Sequence, residues 1–278
     1  MTYIKFGSYN VEQFGKLAGK EKSETERARD KADRITALRE TLTELDVDVL
    51  SLQEVTSAEE LAQVLDTDTL RKKFPHTAFL QTDPSPWQVN AAVLSRYPIT
   101  GSSVQKEQEV PDPSSHFPSR GYSFVRGLGI VDIQVGQIPT RTYVHHGKAD
   151  PWYGAADQPG YELKRAKAAA HRGREMKAIE KIVLQNAKAF PTNLQVVTGD
   201  FNTTETSKEM TQLLAGPLYD PLAGQNQVSH PATEQRMDYV LLDESGIGKA
   251  ATGHVHDSPA ARLASDHLPV VLTIDPEL

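Results

Sequence analysis

Apolar and polar positions change their spacing several times along the chain. Residues 4–11 and 49–54 are short, mainly apolar runs of the kind that form buried strands. Between these runs, apolar side chains recur every three or four positions from about residue 23, as on the buried face of an amphipathic helix. A strand, a helix and a second strand in succession predict two neighbouring strands in one sheet.

The same alternation of strand and helix patterns continues to the C-terminal part of the chain. Further strands are predicted over residues 91–95, 122–135, 141–145, 194–198, 237–242 and 268–274. Capping boxes that begin at Ser57 and Thr206 predict two short helices, and the apolar stripe of residues 162–186 predicts a long one. Residues 104–121 are polar and rich in proline, so we expect a loop there, and residues 148–161 are predicted as a second long loop.

The composition narrows the class of protein. The 278 residues are 38% hydrophobic and 24% charged, which is typical of a soluble globular protein, and without repeats or linkers residues 1–278 are interpreted as one domain. The formal net charge of -7, from 30 Lys and Arg against 37 Asp and Glu, provides no overall attraction to nucleic acid or to an anionic membrane. A local basic face is still compatible with this charge, and an acidic surplus suits a protein that gathers carboxylates around a divalent cation.

The residue types and segments that are missing exclude other kinds of chemistry. The chain has no cysteine, which excludes disulfides, thiolate metal sites and cysteine nucleophiles. No apolar run has the length of a transmembrane helix, and the first residues lack the pattern of a signal peptide. We therefore expect a protein without a membrane anchor, cytoplasmic by default, with secretion after removal of a signal peptide left open.

Polar side chains stand at the ends of the predicted strands again and again. Asp200 and Asn202 follow a buried strand, at the position where open α/β sheets place ligand chemistry. The carboxylate is able to accept a proton or bind a metal, and the amide to donate a hydrogen bond to an oxyanion. Other residues in comparable positions are Asn10, Glu54, His145, His146, Asp238, Asp266 and His267. Taken singly, most of them also fit an ordinary role as a turn cap or a solvated group.

Asp238 is the residue of this set that a solvated surface position explains least well. It lies in an apolar strand pattern, and a buried carboxylate requires a partner. His267 would provide that partner, and the carboxylate would in turn hold the imidazole in one tautomer.

Together these residues form a pattern that resembles the endonuclease/exonuclease/phosphatase superfamily, the DNase-I-like metal-dependent phosphoesterases. The resemblance extends from Ser8 to Ile274 and follows the order of motifs in that family. Gly-Asp-Phe-Asn with a downstream Ser-Asp-His-x-Pro is its most specific part. The motifs are Tyr9-Asn10-Val11, Leu52-Gln53-Glu54-Val55, Leu94-Ser95-Arg96-Tyr97-Pro98-Ile99, the His145-His146 strand end, Gly199-Asp200-Phe201-Asn202, Arg236-Met237-Asp238-Tyr239 and Ser265-Asp266-His267-Leu268-Pro269.

The resemblance implies a fold and a set of roles. The fold would be a four-layer α/β sandwich, in which two mixed β-sheets pack face to face with helices outside. Glu54, with Asn10 and Asp266 nearby, would hold a Mg²⁺ or Mn²⁺ ion, and hard cations of this kind take oxygen ligands. Asp200 would orient or deprotonate the attacking water, and Asn202 would hydrogen-bond a phosphate oxygen. His267, paired with Asp238, would contact the phosphate or act as acid or base.

Several assignments stay open at this point. The family histidine is His145 in one alignment and His146 in another, and we favour His146 slightly. In some family nucleases this histidine contacts a glutamate, but residues 87–90 contain no carboxylate here. Arg120 is either a phosphate contact or a loop charge. His254 and His256, with Asp257, resemble a metal-ligand cluster in a loop, although a role at the site is the less favoured interpretation.

The favoured function is a divalent-metal-dependent phosphodiesterase that uses in-line attack by water, most favourably a nuclease acting on DNA or RNA as a monomer. Lys148 and the aromatic Trp152 lie in the long loop, where they would bind substrate and stack bases. The basic residues of 164–181 would face a nucleic-acid backbone, or they form a solvated helix face.

Two alternatives to a nuclease remain. One is a lipid or small-molecule phosphoesterase of the same fold, similar to a sphingomyelinase or an inositol-phosphate phosphatase. The other is an inactive binding or scaffold protein, which the presence of Glu54, Asp200, Asn202, Asp266 and His267 disfavours.

Overall fold

Two six-stranded mixed β-sheets form the centre of the protein. The computed structural model describes residues 3–13, 24–83, 85, 88–108, 122–151, 156–243 and 251–275. The first sheet has the strand order β11-β12-β1-β2-β4-β3, and its strands are β1 (Ile4–Asn10), β2 (Val49–Val55), β3 (His76–Leu80), β4 (Asn90–Ser95), β11 (Ala251–Val255) and β12 (Val270–Ile274). The second sheet has the order β5-β6-β7-β8-β10-β9, and its strands are β5 (Ile99–Gln108), β6 (Tyr122–Val135), β7 (Ile138–His146), β8 (Leu194–Asp200), β9 (Leu218–Tyr219) and β10 (Asp238–Asp243).

Helices cover the outer face of each sheet. The helices are α1 (Glu24–Glu44), α2 (Ala58–Leu65), α3 (Asp68–Lys73), α4 (Tyr161–Ala189), α5 (Lys208–Leu214) and α6 (Pro259–Ala264). Leu38 and Leu42 of α1 pack on Leu50 and Leu52 of β2 at the outer face of the first sheet. Ile179 and other apolar residues of α4 pack in the same way on the outer face of the second sheet.

A third apolar cluster lies between the two sheets. It combines residues such as Phe6 and Val93 of the first sheet with Val144, Val196 and Val240 of the second. Because successive side chains of a strand point to opposite faces, each central strand contributes to this inner cluster and to an outer one. The result is the predicted four-layer α/β sandwich, and the prediction of the fold is confirmed.

The strand directions bring the predicted site residues to one edge of the sandwich. β1 runs parallel to β2, and β7 runs parallel to β8, so the carboxyl ends of these four strands lie at the same edge. β10 and β12 run antiparallel to their neighbours β8 and β1, so they begin at that edge. Residues that follow β1, β2, β7 and β8, and residues that precede β10 and β12, therefore converge.

The structure corrects several of the predicted elements. Residues 104–108 belong to strand β5 and are not a loop; they are polar because β5 is an edge strand, and residues 109–121 lie outside the described residues. The cap of α5 is Ser207 and not Thr206, since the Ser207 side chain accepts a hydrogen bond from the amide of Met210. His254 lies in strand β11 and not in a loop.

Five short elements, α3, β3, β9, β11 and α6, were not predicted, because each has at most six residues and too few apolar positions to show a period. Among the residues that the structure describes, no helix is both long and apolar enough to cross a membrane.

Candidate active site

Three polar side chains of the second sheet form a row at the convergent edge. His146 of β7 is paired with Asp200 of β8, and Asp200 is paired with Asp238 of β10. All three lie on the strand face that points between the sheets, two positions beyond Val144 and Thr198 and two before Val240. All three are buried. The inner apolar cluster thus ends at this edge in a row of two carboxylates and an imidazole.

Gly199 allows the strands of this row to approach one another. Its φ of +146° is a conformation that side-chain-bearing residues rarely adopt. A Cβ atom at this position would lie 1.9 Å from the backbone oxygen of His145 in the neighbouring strand. The glycine of the Gly-Asp-Phe-Asn motif is therefore required by the close contact of β7 and β8, which places Asp200 beside His146.

The first sheet contributes Asn10 and Glu54 from the ends of β1 and β2. The register of β2 shifts between Gln53 and Val55, and Glu54 between them has a left-handed backbone with φ of 63°. Such a bulge redirects a side chain that regular alternation would point to the opposite face. Asn10 Nδ2 lies 3.3 Å from Glu54 Oε1, so the redirected carboxylate reaches the same edge as the row of the second sheet.

Amide groups bind Asp200 from both sides. Asn10 Nδ2 donates a hydrogen bond to Asp200 Oδ2 at 3.1 Å, across the gap between the sheets. Asn202 donates from its backbone N to Oδ1 at 2.8 Å and from Nδ2 to Oδ2 at 2.9 Å. Asn202 has a φ of 52°, and this unusual conformation turns its side chain back towards Asp200. We call Asn10, Glu54, His146, Asp200, Asp238 and His267 the cleft cluster.

His267 is held by Asp238, as the sequence predicts. Its Nδ1 lies 2.7 Å from Asp238 Oδ2, and Ser229 Oγ donates a second hydrogen bond of 2.7 Å to the same oxygen. The other ring nitrogen, Nε2, faces Asp200 Oδ2 at 3.9 Å and Asp266 Oδ1 at 4.0 Å. The Asp238 carboxylate therefore fixes the orientation of the ring and leaves Nε2 directed at the middle of the cleft cluster.

The charges of Asp200 and His267 depend on each other. Burial raises the pKa of Asp200 to about 6, and repulsion from Asp238 acts in the same direction, against the attraction of His267 and the hydrogen bonds from Asn202 and Asn10. For His267, burial opposes the charged ring, but attraction by Asp238 and Asp200 outweighs it and raises the pKa to about 10. At neutral pH, His267 is thus a cation between carboxylates, while Asp200 titrates in a range suited to a general base.

Two further carboxylates, Glu12 and Asp266, lie near Glu54 of the cleft cluster, and the three together fit a hard divalent cation. Burial raises the pKa of Glu12, and the negative charges of Asp266 and Glu54 act in the same direction, against the positive charge of Arg34, which is paired with Glu12 at 3.2 Å. A cation would remove this repulsion between like charges. Carboxylate oxygens, together with the amide oxygen of a residue such as Asn10, are the ligands that Mg²⁺, Mn²⁺ and Ca²⁺ prefer. The predicted metal residues Asn10, Glu54 and Asp266 are thus brought to one region, with Glu12 in addition.

The structure separates the two histidines that the sequence left as alternatives. His146 Nε2 lies 3.5 Å from Glu54 Oε1 and 3.6 Å from Asp200 Oδ2, within the cleft cluster. Burial, with a contribution from Arg126, lowers the pKa of His146 well below its usual value, so the ring is neutral. His145 points to the opposite face of β7, because neighbouring residues of a strand alternate. There its ring packs edge-on against Phe201 with centroids 5.0 Å apart, so His145 does not join the cluster as a catalytic residue.

The remaining predicted residues lie outside the cleft cluster. Lys148 is exposed two residues beyond β7 and lines a cavity of about 400 Å³ with Lys164, Lys167 and His171. Arg120 and Trp152 lie outside the described residues. The proposed metal cluster at His254 does not reach the site, since His254 is exposed on an edge strand and His256 instead faces Glu44 of α1 at 3.3 Å.

The glutamate that the sequence lacks before β4 is not replaced by another carboxylate at that position. Asn90, at the start of β4, donates to the backbone oxygen of Thr56 and accepts from the amide of Asp83, so its side chain closes a turn.

Sequence reasoning missed Gln13, Ser229 and His230. Gln13 Nε2 donates to Glu54 Oε2 at 3.3 Å, and Ser229 binds Asp238 as described above. The His230 ring contacts that of His267, with centroids 4.7 Å apart. Ser229 and His230 lie in a connection between β9 and β10 that has no periodic pattern. Their position shortly before the Arg-Met-Asp-Tyr motif is the one feature of the sequence that could have indicated them.

Comparison with known proteins agrees with the geometry of the site. Residues 7–267 match the sequence family described as the Endonuclease/Exonuclease/phosphatase family. No protein with a curated description matches the chain.

Solved structures similar in fold have low sequence identity. They include truncated TDP2 from Caenorhabditis elegans, with 16% identity, a TM-score of 0.64 and coverage of 98% of this chain and 97% of that one. Sphingomyelinase C from Streptomyces griseocarneus has 17% identity and a TM-score of 0.64, with 99% and 100% of the two chains covered. The human Nocturnin catalytic domain with bound sulfate has 15% identity and a TM-score of 0.64, with 98% and 94% covered.

The family match covers nearly the whole chain, and the fold and the cleft cluster agree with it. The chain belongs to the endonuclease/exonuclease/phosphatase family. It is a phosphoesterase with the DNase-I-like fold, a hydrolase of phosphoester bonds from a family that depends on divalent metal ions.

Proposed function

We propose that this phosphoesterase is a Mg²⁺- or Mn²⁺-dependent nuclease that hydrolyses phosphodiester bonds of nucleic acid by in-line attack of water. The observation that carries the proposal is that carboxylates outnumber cationic side chains in and beside the cleft cluster. Asp200 and Asp238 share one cationic partner, His267, and Glu12, Glu54 and Asp266 crowd beside them. A surplus of carboxylates, two of them buried (Asp200 and Asp238), next to a fixed imidazolium suits a phosphate bound through a divalent ion.

Each residue of the cluster has a role that its contacts support. Asp200, with a pKa near 6, orients the attacking water and accepts its proton. His267 donates from Nε2 to a phosphoryl oxygen, because Asp238 occupies Nδ1 and keeps the ring charged. The divalent ion at Glu54, Asn10 and Asp266 would neutralise the phosphoryl oxygens when bound. Neutral His146 stands close enough to Glu54 and Asp200 to bind the phosphate or assist the leaving oxygen.

The choice of nucleic acid rests on the surface beside the cluster. The cavity lined by Lys148, Lys164 and Lys167 begins two residues beyond His146, and the three lysines are exposed. A second cavity of about 450 Å³ begins at Asn202, but its arginines, Arg165 and Arg172, are paired with Asp150 and Glu209, so the positive charge comes from the lysines. Positive side chains spaced along a groove attract consecutive phosphates of a strand, whereas a single phosphate monoester needs no such extension.

The test compares two substrates and two pairs of lysines. The double variant Lys164→Glu with Lys167→Glu reverses the charge at the cavity. As the control, Lys177→Glu with Lys188→Glu reverses two charges farther along the same helix, outside the cavity. The enzyme is assayed with Mg²⁺ or Mn²⁺ on plasmid, oligonucleotides, bis(p-nitrophenyl) phosphate and sphingomyelin vesicles. We expect metal-dependent cleavage of nucleic acid, which the first pair weakens about tenfold or more with a smaller dependence on salt. Turnover of the small diester should be unchanged in both pairs.

Two results would contradict the proposal. If sphingomyelin or a small phosphate ester is hydrolysed and nucleic acid is left intact, the chemistry stands but the substrate is a lipid or a small molecule. If EDTA and Glu54→Gln leave activity unchanged, the divalent-ion mechanism is wrong.

A further inference from the structure

His230 lies at the edge of the cleft cluster and has no role in the mechanism above. It precedes a short 3₁₀ turn, Pro231–Thr233, and its side chain is largely buried with 16% exposed. Its Nε2 lies 3.8 Å from Asp266 Oδ2. His230, Asp266 and His267 offer ligand atoms that all lie within 4.8 Å of one another. Since Asp266 is one of the carboxylates in the metal region, His230 faces that region.

Thr233 binds the ring nitrogen of His230 that does not face Asp266. Thr233 Oγ1 lies 2.9 Å from His230 Nδ1 and 3.3 Å from the backbone oxygen of His230, and the hydroxyl is able to donate to either. In the tautomer in which Nδ1 donates to this hydroxyl, Nε2 has a lone pair directed at Asp266 and available to a metal ion. Metal-binding histidines are oriented in this manner, with the second nitrogen bound to an oxygen acceptor.

The gap between His230 and Asp266 suits a shared ion better than a direct contact. His230 Nε2 and Asp266 Oδ2 face each other at 3.8 Å, a distance too long for a hydrogen bond. Ligands bound at about 2.1 Å from one metal ion are separated by about 3.0 Å at right angles and about 4.2 Å when opposite. The observed separation falls inside this range. His267 is not counted as a ligand, because the mechanism above uses its Nε2 as the donor to a phosphoryl oxygen while Asp238 holds its Nδ1.

We propose that His230 is a nitrogen ligand of the divalent ion held at Asp266, and that this ligand makes the protein prefer a first-row transition ion such as Mn²⁺ over Mg²⁺. Imidazole is a common ligand of first-row ions, whereas Mg²⁺ selects oxygen ligands and retains several waters. The inference rests on the proposed function only in that the ion occupies the Asp266 region. It distinguishes this chain from a site built of oxygen ligands alone.

The test is pulsed electron paramagnetic resonance of Mn²⁺ bound to the full chain, which detects modulation by a directly bonded ¹⁴N nucleus. We expect ¹⁴N coupling in the wild-type protein and its loss in His230→Ala. By calorimetry, His230→Ala should weaken Mn²⁺ binding about tenfold, with a smaller effect on Mg²⁺. Thr233→Val keeps the imidazole but removes its orienting oxygen, so it should weaken Mn²⁺ binding to a lesser degree.

His256→Ala is the matched control, since His256 also faces a carboxylate, Glu44 at 3.3 Å, which is not one of the carboxylates of the metal region. It should leave both the ¹⁴N coupling and the affinity unchanged. His230→Asn provides a second variant of similar size if His230→Ala does not fold. Absence of ¹⁴N coupling in the wild-type protein, or coupling that persists in both His230 variants, would overturn the inference alone. If no Mn²⁺ binds at all, the metal-dependent function fails together with it.

Discussion

Two buried groups of imidazoles and carboxylates lie on opposite faces of the second sheet, and they differ in their charge balance. One is the cleft cluster. The other, which we call the α4 pocket, consists of His145 of β7 with His171 and Glu175 of α4. In the pocket, Glu175 accepts a hydrogen bond of 2.9 Å from the amide of Val125 and faces His171 at 3.5 Å and His145 at 4.0 Å. Its carboxylate therefore has donors or imidazoles on several sides.

The pKa directions express the difference. Burial alone would raise the pKa of Glu175, but His171, His145 and the Val125 amide outweigh burial and lower it. For Asp200 the balance is reversed, and the pKa rises to about 6. The same residue types, equally buried, thus stabilise the ionised carboxylate of Glu175 in the α4 pocket and leave that of Asp200 in the cleft cluster less stable. A surplus of carboxylates over partners, and not their burial, distinguishes the candidate active site from the α4 pocket.

The largest expected effect comes from removing one carboxylate from each region. We expect Asp200→Asn to lower kcat about 10³- to 10⁴-fold, because the variant loses the group that accepts the proton of the attacking water. Glu175→Gln removes an equally buried carboxylate from the α4 pocket and should lower kcat only a few-fold. Steady-state turnover of bis(p-nitrophenyl) phosphate in saturating Mg²⁺ or Mn²⁺ measures both.

Circular dichroism and Mn²⁺ binding must show that the Asp200→Asn protein is folded and still binds metal. Equal losses of kcat in the two variants would mean that the comparison of the regions is wrong, since burial alone would then predict function.

Much of the cleft cluster was predictable because it follows from strand ends. Asn10, His146, Asp200 and Asp238 end or begin strands that converge at one edge, and residues with these positions are recognisable in the apolar pattern. The pairing of Asp238 with His267 followed from the need of a buried carboxylate for a partner. These contacts depend on the order of strands and helices and on the alternation of side chains along each strand, and both are visible in the sequence.

Other parts depend on tertiary contacts that the sequence does not express. Alternation along β2 would point Glu54 away from the cleft, and only the bulge with a left-handed backbone redirects it. His230 reaches Asp266 because an irregular connection folds back beside His267. The polar residues 104–108 form a strand because they pair with β6, which overrides their low apolar content.

A smaller effect is expected at the two adjacent histidines of β7. His146→Ala should lower kcat about 100-fold, because the ring lies within 3.6 Å of Asp200 and 3.5 Å of Glu54. His145→Ala should leave kcat within a few-fold but lower the melting temperature, since it opens a cavity beside Phe201 and removes a partner of Glu175. Kinetics and thermal unfolding of both variants check this. A loss of kcat in His145→Ala at full stability would place the catalytic histidine in the α4 pocket.

The smallest effect is on stability, and its sign should differ between the regions. The folded-state pKa of Asp200 is raised from 3.8 to about 6, so ionised Asp200 destabilises the metal-free fold above pH 6, and this cost disappears as the pH falls below 3.8. In EDTA at pH 8, Asp200→Asn should therefore raise the free energy of unfolding by about 1 kcal/mol, because the loss of hydrogen bonds from Asn10 and Asn202 offsets part of the benefit. Urea unfolding followed by fluorescence measures it.

Glu175→Gln should have the opposite sign in the same experiment. The pKa of Glu175 is lowered in the folded state, so its carboxylate contributes stability above the unfolded value of 4.5, and that contribution is lost as the pH falls through the folded value. The variant should be less stable than the wild-type protein at pH 8, with a difference that shrinks in acid. If both variants are destabilised at pH 8, the amide donors stabilise the Asp200 carboxylate as effectively as the imidazoles stabilise that of Glu175. Charge surplus would then not separate the two regions.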